Sequence, residues 1–259
     1  MKLPKEHGAW AMLYVPFLIG ILVAGRVSLP VLLLLLAVSC LFIARESLLP
    51  WWRARRRGQR ADAARRMMLI YLTLAALFGA PLLFYFHLWK LVWLGVPVLI
   101  LLAVNAEQAT RREDRTILGE ILAIIGLTTT APAAHYVAGG AWQPTALWLW
   151  ALNAFYFTSS VFYVRWRVLS AHARHAEERE QIKWHCALYH SFLVVALGVL
   201  ALTGNISLFV LLAFAPAVGR AFWYLLRPTA ALSLPRIGVL EIVYSTIFLV
   251  LVWLAYARS

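Results

Sequence analysis

Acid is scarce in this chain. Only 11 of 259 residues are Asp or Glu, and aspartate occurs twice, at Asp62 and Asp114. Charged residues make up 14%, where an average soluble domain has about a quarter. Two cysteines, Cys40 and Cys186, stand alone in apolar runs. That excludes a disulfide scaffold and any paired-cysteine metal site, and leaves two buried thiols acting as small hydrophobes. No small-residue cleavage site closes the first apolar run, so no removable leader is expected. No repeat of fixed period is visible.

What is present is apolar and basic. Hydrophobic residues reach 63%, mean hydropathy is +0.77, and Lys plus Arg number 24, for a net charge of +13. A pI of 10.3 in a soluble protein would point to nucleic acid. Here the basic residues read first as membrane topology signals, and no nucleic-acid partner is expected.

A transmembrane helix needs roughly 17–25 mostly apolar residues. Nine such segments can be read. They run from about Gly8 to Ala24, Leu29 to Ala44, Met67 to Phe86, Leu88 to Val104, Ile117 to Ala138, Pro144 to Val164, Trp184 to Leu202, Ile206 to Trp223, and Ile237 to Ala257. Pro50 is expected to stop the second helix. Sorting the cations by the side on which each connection falls puts 21 of 24 on one side, Arg220 among them, with Arg26, Lys90 and Arg258 opposite. All eleven acids lie on or near the cation-rich side. The positive-inside rule then predicts a single integral membrane domain over residues 1–259, an all-α polytopic bundle with its N-terminus in the cytoplasm and its C-terminus outside. The other side has only short turns, so polar chemistry is expected at the cytoplasmic face of a bacterial inner membrane.

Ionisable groups inside apolar spans are costly, by at least about 2.5 kcal/mol at the centre. Glu120 and Glu241 each lie about one turn into a span. Both could pair with Arg111, Arg112, Arg115 or Arg236. Polar residues also gather where spans one, two and four meet the basic side: Lys5, Glu6 and His7; Arg45 and Glu46; Asn105 and Glu107, the last at i,i+4 spacing to Arg111. The sixth span carries Asn153, Tyr156, Thr158, Ser159, Ser160 and Tyr163, which could face a cavity or bond other helices. The arginine-rich stretch Arg53 to Arg66 reads as a loop anchor, or as a lipid headgroup site. The stretch Ala171 to Gln181 reads as a helical extension.

Seven histidines raise the question of haem or metal. His185 and His190 lie five apart, about 140° around a helix, so one helix cannot offer both to one iron. No HExxH pattern is present. No haem and no metal ligand set is expected.

The opening Pro4-Lys5-Glu6-His7-Gly8-Ala9-Trp10-Ala11-Met12, with Pro16-Phe17-Leu18-Ile19-Gly20, resembles the YwiC-like family of bacterial membrane proteins. A broader resemblance is to UbiA-type intramembrane prenyltransferases. It rests on Pro16 and Gly20 in the first span, Arg111-Arg112 with Thr116 after the fourth, and Gly119-Glu120 opening the fifth. It implies a UbiA-like bundle of nine helices with an active site opening to the cytoplasm. Family enzymes carry aspartate-rich motifs after helices two and six, which hold Mg²⁺ on a prenyl diphosphate. This chain has Glu46, with Asp62 further on, after span two, and no acid near Val164-Arg165-Trp166-Arg167 after span six. Mg²⁺ is therefore not expected. Guanidinium groups could hold an anion directly.

The resulting expectation is a divergent enzyme acting on an isoprenoid or other lipid. Glu6, His7, Glu46 and Glu120 would handle protons. Lys5, Arg45, Asn105, Glu107, Arg111, Arg112, Arg165 and Arg167 would hold the anionic group. The rival expectation is a lipid- or quinone-binding, transport or assembly protein of the respiratory membrane, without chemistry.

Overall fold

A computed structural model describes residues 7–111, 116–172, 175–227 and 234–257. The described residues form ten helices and no strand. In chain order they are α1 (His7–Ala24), α2 (Leu29–Arg56), α3 (Asp62–Phe84), α4 (Lys90–Arg111), α5 (Ile117–Thr128), α6 (Thr130–Gly139), α7 (Thr145–His172), α8 (Ala176–Leu202), α9 (Leu208–Leu226) and α10 (Leu234–Ala257). All-helical structure is what hydrocarbon demands, because a helix satisfies its own backbone hydrogen bonds. Eight helical stretches are long and apolar enough to cross a bilayer, α5 and α6 together making one of them, and Gly8–Ala24 is a shorter apolar helix. The protein is a multi-pass membrane bundle.

Several helices outrun their apolar stretches. α2 continues twelve residues past Ala44 and does not stop at Pro50. A mid-helix proline removes one N–H bond to the carbonyl four residues earlier. Pro50 is exposed near the basic end of α2, where water can satisfy that carbonyl. The apolar stretch from Ile117 to Ala138 breaks at Thr129 into α5 and α6. The hydroxyls of Thr128 and Thr129 turn back onto carbonyls four and three residues earlier, a pattern that bends helices. The extension expected over Ala171 to Gln181 divides: α7 ends at His172, α8 begins at Ala176 behind His175, and residues 173–174 lie outside the described residues.

The chain forms two compact units, residues 1–150 and 151–259. In the first, α2 packs on α3, α4 and α6, while α1 packs on α5 and α6. Phe17, Leu34, Leu82, Ala134 and Val137 form its apolar core. Gly20 lets α1 and α6 approach backbone to backbone. A methyl group there would stand 2.9 Å from the His135 nitrogen and inside van der Waals contact of the Ala131 carbonyl. Small residues at such crossings are the usual means of close packing in membranes. Thr130 Oγ1 donates to the Leu13 carbonyl at 2.8 Å, and Tyr14 and Ser39 are hydrogen-bonded at 2.9 Å. In the second unit α9 packs against α8 and α10. Tyr156 of α7 stacks on Phe248 of α10 at 4.0 Å, and Phe214 of α9 closes edge-on. Cys186 is fully buried there, whereas Cys40 in the first unit is only half-buried.

Gly20→Ala should lower stability by about 1–3 kcal/mol, because α1 and α6 must separate. Thermal unfolding of the detergent-solubilised protein should show a lower Tm, and an unchanged Tm would mean the crossing is looser than described.

Candidate functional site

Two polar clusters are built into this apolar frame, one in each unit. In the first unit, α2, α4 and α5 meet at their cation-rich ends. Arg45 Nη2 donates to Asn105 Oδ1 at 2.8 Å, and its Nη1 lies 3.3 Å from Glu46 Oε1. Asn105, buried, passes the connection on: its Nδ2 donates to the Gly119 carbonyl of α5 at 3.3 Å. Two residues beyond Asn105 lies Glu107, whose Oε2 accepts from Arg56 Nη2 at 2.6 Å. Only the extended α2 can bring Arg56 into range of Glu107, and the pairing expected with Arg111 falls on a side chain outside the description. Thr116 caps α5, its hydroxyl accepting from the Gly119 N–H at 3.2 Å.

Arg45 and Glu46 side chains are 22% and 32% exposed. The guanidinium is therefore oriented by two acceptors yet still reachable. Glu120 lies half-buried in the first turn of α5, next to Gly119. A carboxylate there is favoured by the positive end of the helix dipole. Lys5, Glu6 and Arg112 lie outside the described residues. His7 opens α1 and Arg111 closes α4, with their side chains outside the description. So three of the twelve expected residues, Arg45, Glu46 and Asn105, form one bonded group, and a fourth, Glu107, pairs with Arg56 on the same two helices.

Arg165 and Arg167 belong to the second unit, on α7. Arg165 is half-buried, whereas Arg167 is buried with its guanidinium 4.2 Å from the Tyr224 ring. Residues 153, 156, 160, 163 and 167 of α7 recur at intervals of three and four, one face of a helix, and all five are buried. Glu241 does not pair with Arg236. Its Oε1 lies 2.7 Å from Arg220 Nη1, and its Oε2 accepts from Ser160 Oγ. Arg220, counted above with the connection after the eighth span, sits inside α9 with its side chain 4% exposed. Its guanidinium is sandwiched between the rings of Tyr163, at 4.1 Å, and Tyr244, at 4.0 Å. Such stacking suits a weakly hydrated planar cation.

The histidines divide as the helical arc requires: His185 is exposed and His190 fully buried. His190 Nδ1 lies 2.8 Å from the Cys186 carbonyl, which can only accept, so Nδ1 carries the proton. Nε2 then accepts from Ser159 Oγ at 2.9 Å. The pair joins α7 to α8. Among the described residues, no group of three or more His, Cys, Asp or Glu side chains converges as metal ligands would.

A family model described as YwiC-like protein matches residues 3–135. The chain belongs to the YwiC-like family. The match covers Arg45, Glu46, Asn105 and Glu107. A Bacillus subtilis relative, described as uncharacterised protein YwiC, is 28% identical and aligns over 99% of this chain and 98% of its own length. A Haemophilus influenzae relative, described as an uncharacterised protein, is 23% identical over 98% of each chain. No solved structure matches the chain. Neither of these relatives' descriptions names a prenyltransferase.

Asn105→Ala removes the acceptor of Arg45 and the bond to α5 together, and should cost about 1–2 kcal/mol. Asn105→Asp keeps the acceptor and should cost less. Denaturation of the two variants in parallel checks the order, and equal loss in both would argue against an oriented Arg45.

Proposed function

We propose that this YwiC-like protein holds the anionic group of an isoprenoid or another lipid at the cytoplasmic face of the bacterial inner membrane, and acts on that lipid. The observation that carries the reading is Arg45. Its guanidinium is fixed by Asn105 and Glu46 at the junction of three helices, and it stays partly open. Guanidinium forks match phosphate and carboxylate oxygens. An anion arriving at Arg45 would meet a group whose rotamer is already set. Glu46, beside Arg45, would then move the proton, with Glu120 at the start of α5 as the other described carboxylate for that role. Glu6, His7 and Lys5 precede or open α1 and are assigned supporting roles on the sequence alone, as are Arg111 and Arg112.

A second reading, binding or assembly without chemistry, is favoured by one specific observation. The same bonds also lock α2, α4 and α5 together, which is work enough for a structural knot. Cells lacking the gene, complemented with wild type, Arg45→Gln or Glu46→Gln, separate the two. The enzymatic reading expects a changed lipid or quinone profile on deletion, restored by wild type and by neither variant at equal protein level. A profile indifferent to deletion would sink it. Restoration by Glu46→Gln alone would favour binding without proton transfer.

Topology is proposed as N-terminus in and C-terminus out, from the 21 cations on one side. A reporter fused after Ser259 should read as external, and cytoplasmic activity would overturn the assignment.

A further inference from the structure

α3 buries one side and leaves another open. Met68, Ala75 and Leu82, each seven residues from the next, are its buried seam. Away from that seam runs a groove of about 560 Å³, a volume within the range of small-ligand sites, about 300–1,000 Å³. Asp62, Arg65 and Arg66 form its charged mouth, and Leu69, Ile70, Thr73 and Leu74 line it below. These positions recur three and four apart, so they share one helical face. None of them is buried. An apolar face turned to lipid is ordinary in a membrane helix, but one headed by two accessible guanidinium groups is not. Arg45 and Arg56 each meet a glutamate. Among the described residues no ion pair engages Arg65, Arg66 or Asp62.

Depth and charge say what fits there. α3 has 23 residues, about 34 Å of helix, against a hydrocarbon core of about 30 Å. Its far end is apolar to the last residue, Phe84, so the surplus falls at Asp62. Arg65 and Arg66 then stand where hydrocarbon meets headgroups, with Asp62 about 5 Å above them and Leu69 and Ile70 about as far below. From water inward the order is an acceptor, two planar cations and apolar surface. A phosphoglyceride has the matching order: outer headgroup, phosphate, acyl chains. Two arginines against one aspartate leave the mouth at +1, which a monoanionic lipid neutralises and a zwitterionic one does not. Guanidinium forks match phosphate oxygens. An ionised carboxylate only accepts hydrogen bonds, so Asp62 repels a second negative charge and suits a headgroup hydroxyl. A second copy of this chain fits less well. Inserted in the same orientation, its symmetric contact would press Arg65 and Arg66 against their own counterparts at equal depth.

We infer that the α3 groove is a docking site for a monoanionic phospholipid with a hydroxylated headgroup, of the phosphatidylglycerol class, in the leaflet at the cation-rich side. Arg65 and Arg66 hold the phosphodiester, Asp62 accepts from the headgroup hydroxyls, and an acyl chain lies along Leu69, Ile70 and Leu74. None of these residues belongs to the Arg45 group, and the inference does not rest on the function proposed for that end.

The test uses the full chain in neutral detergent, with bound lipid counted by native mass spectrometry. The probes share their acyl chains: phosphatidylglycerol, phosphatidylethanol (a monoanion without headgroup hydroxyls) and zwitterionic phosphatidylcholine. Wild type should bind phosphatidylglycerol most tightly, phosphatidylethanol about fivefold less, and phosphatidylcholine least. Arg65→Gln and Arg66→Gln should each weaken phosphatidylglycerol binding about fivefold. Asp62→Ala should erase the difference between the two monoanions. Arg57→Gln with Arg60→Gln removes two exposed charges of the same basic segment outside the groove, and should leave the lipid preference in place. All these side chains are exposed, so each variant should keep the lipid-free Tm of wild type. Equal binding of all three lipids overturns the inference, as does equal binding of the two monoanions. An equal loss in the Arg57/Arg60 pair would mean diffuse basic attraction and overturns it too. A dimer that forms without lipid and is abolished by Arg65→Gln or Arg66→Gln would assign the groove to a second copy instead. Binding lost in Arg45→Gln and kept in both α3 variants overturns this inference while leaving the Arg45 reading standing.

Discussion

Charge is expensive in hydrocarbon, and that cost organises this chain. Among the described residues most cations sit near a helix end or beyond it, with Arg45 and Arg220 further in, and the apolar middles are left to pack by shape. Several of the polar groups that do enter arrive with partners. Thr130 meets a carbonyl of α1, Tyr14 meets Ser39, and Ser159 meets His190. Packing between helices in lipid gains nothing from hydrophobicity, so contact quality decides it. The backbone approach at Gly20 and the ring stack of Tyr156 on Phe248 are two answers to that requirement.

The spans were legible because a bilayer sets a length, and nine apolar runs of about that length stand between basic segments. Their ends were not. Apolar composition marks where hydrocarbon stops, while backbone hydrogen bonding runs on into water, as α2 does through Pro50 to Arg56. The break at Thr129 was hidden for the converse reason: the run stays apolar, and the hydroxyls of Thr128 and Thr129 bond backwards at the bend.

Much of the first cluster could be read from residues close to span ends. Arg45 and Glu46 on α2 and Asn105 on α4 are polar groups at matching depth, and they bond one another. The partner of Glu107 was missed because Arg56 was taken to lie beyond a helix that had already ended. Arg220 was missed because positive charge near a basic connection reads as part of that connection. The available clue was the five-residue polar rhythm on α7, which needed a buried partner of opposite character.

The length of α2 has one more effect. Its 28 residues extend about 42 Å, against a hydrocarbon core of about 30 Å. The surplus stands clear of the slab as a rigid mast carrying Arg53, Arg55 and Arg56. Charges on a flexible loop lose conformational freedom each time they close on a counter-ion, at about 1–2 kcal/mol per residue ordered. Charges on a mast gave up that freedom when the helix formed. Whatever anion approaches this end of the protein meets positive charges whose backbone is already ordered, so only the arginine side chains remain to be arranged in the encounter.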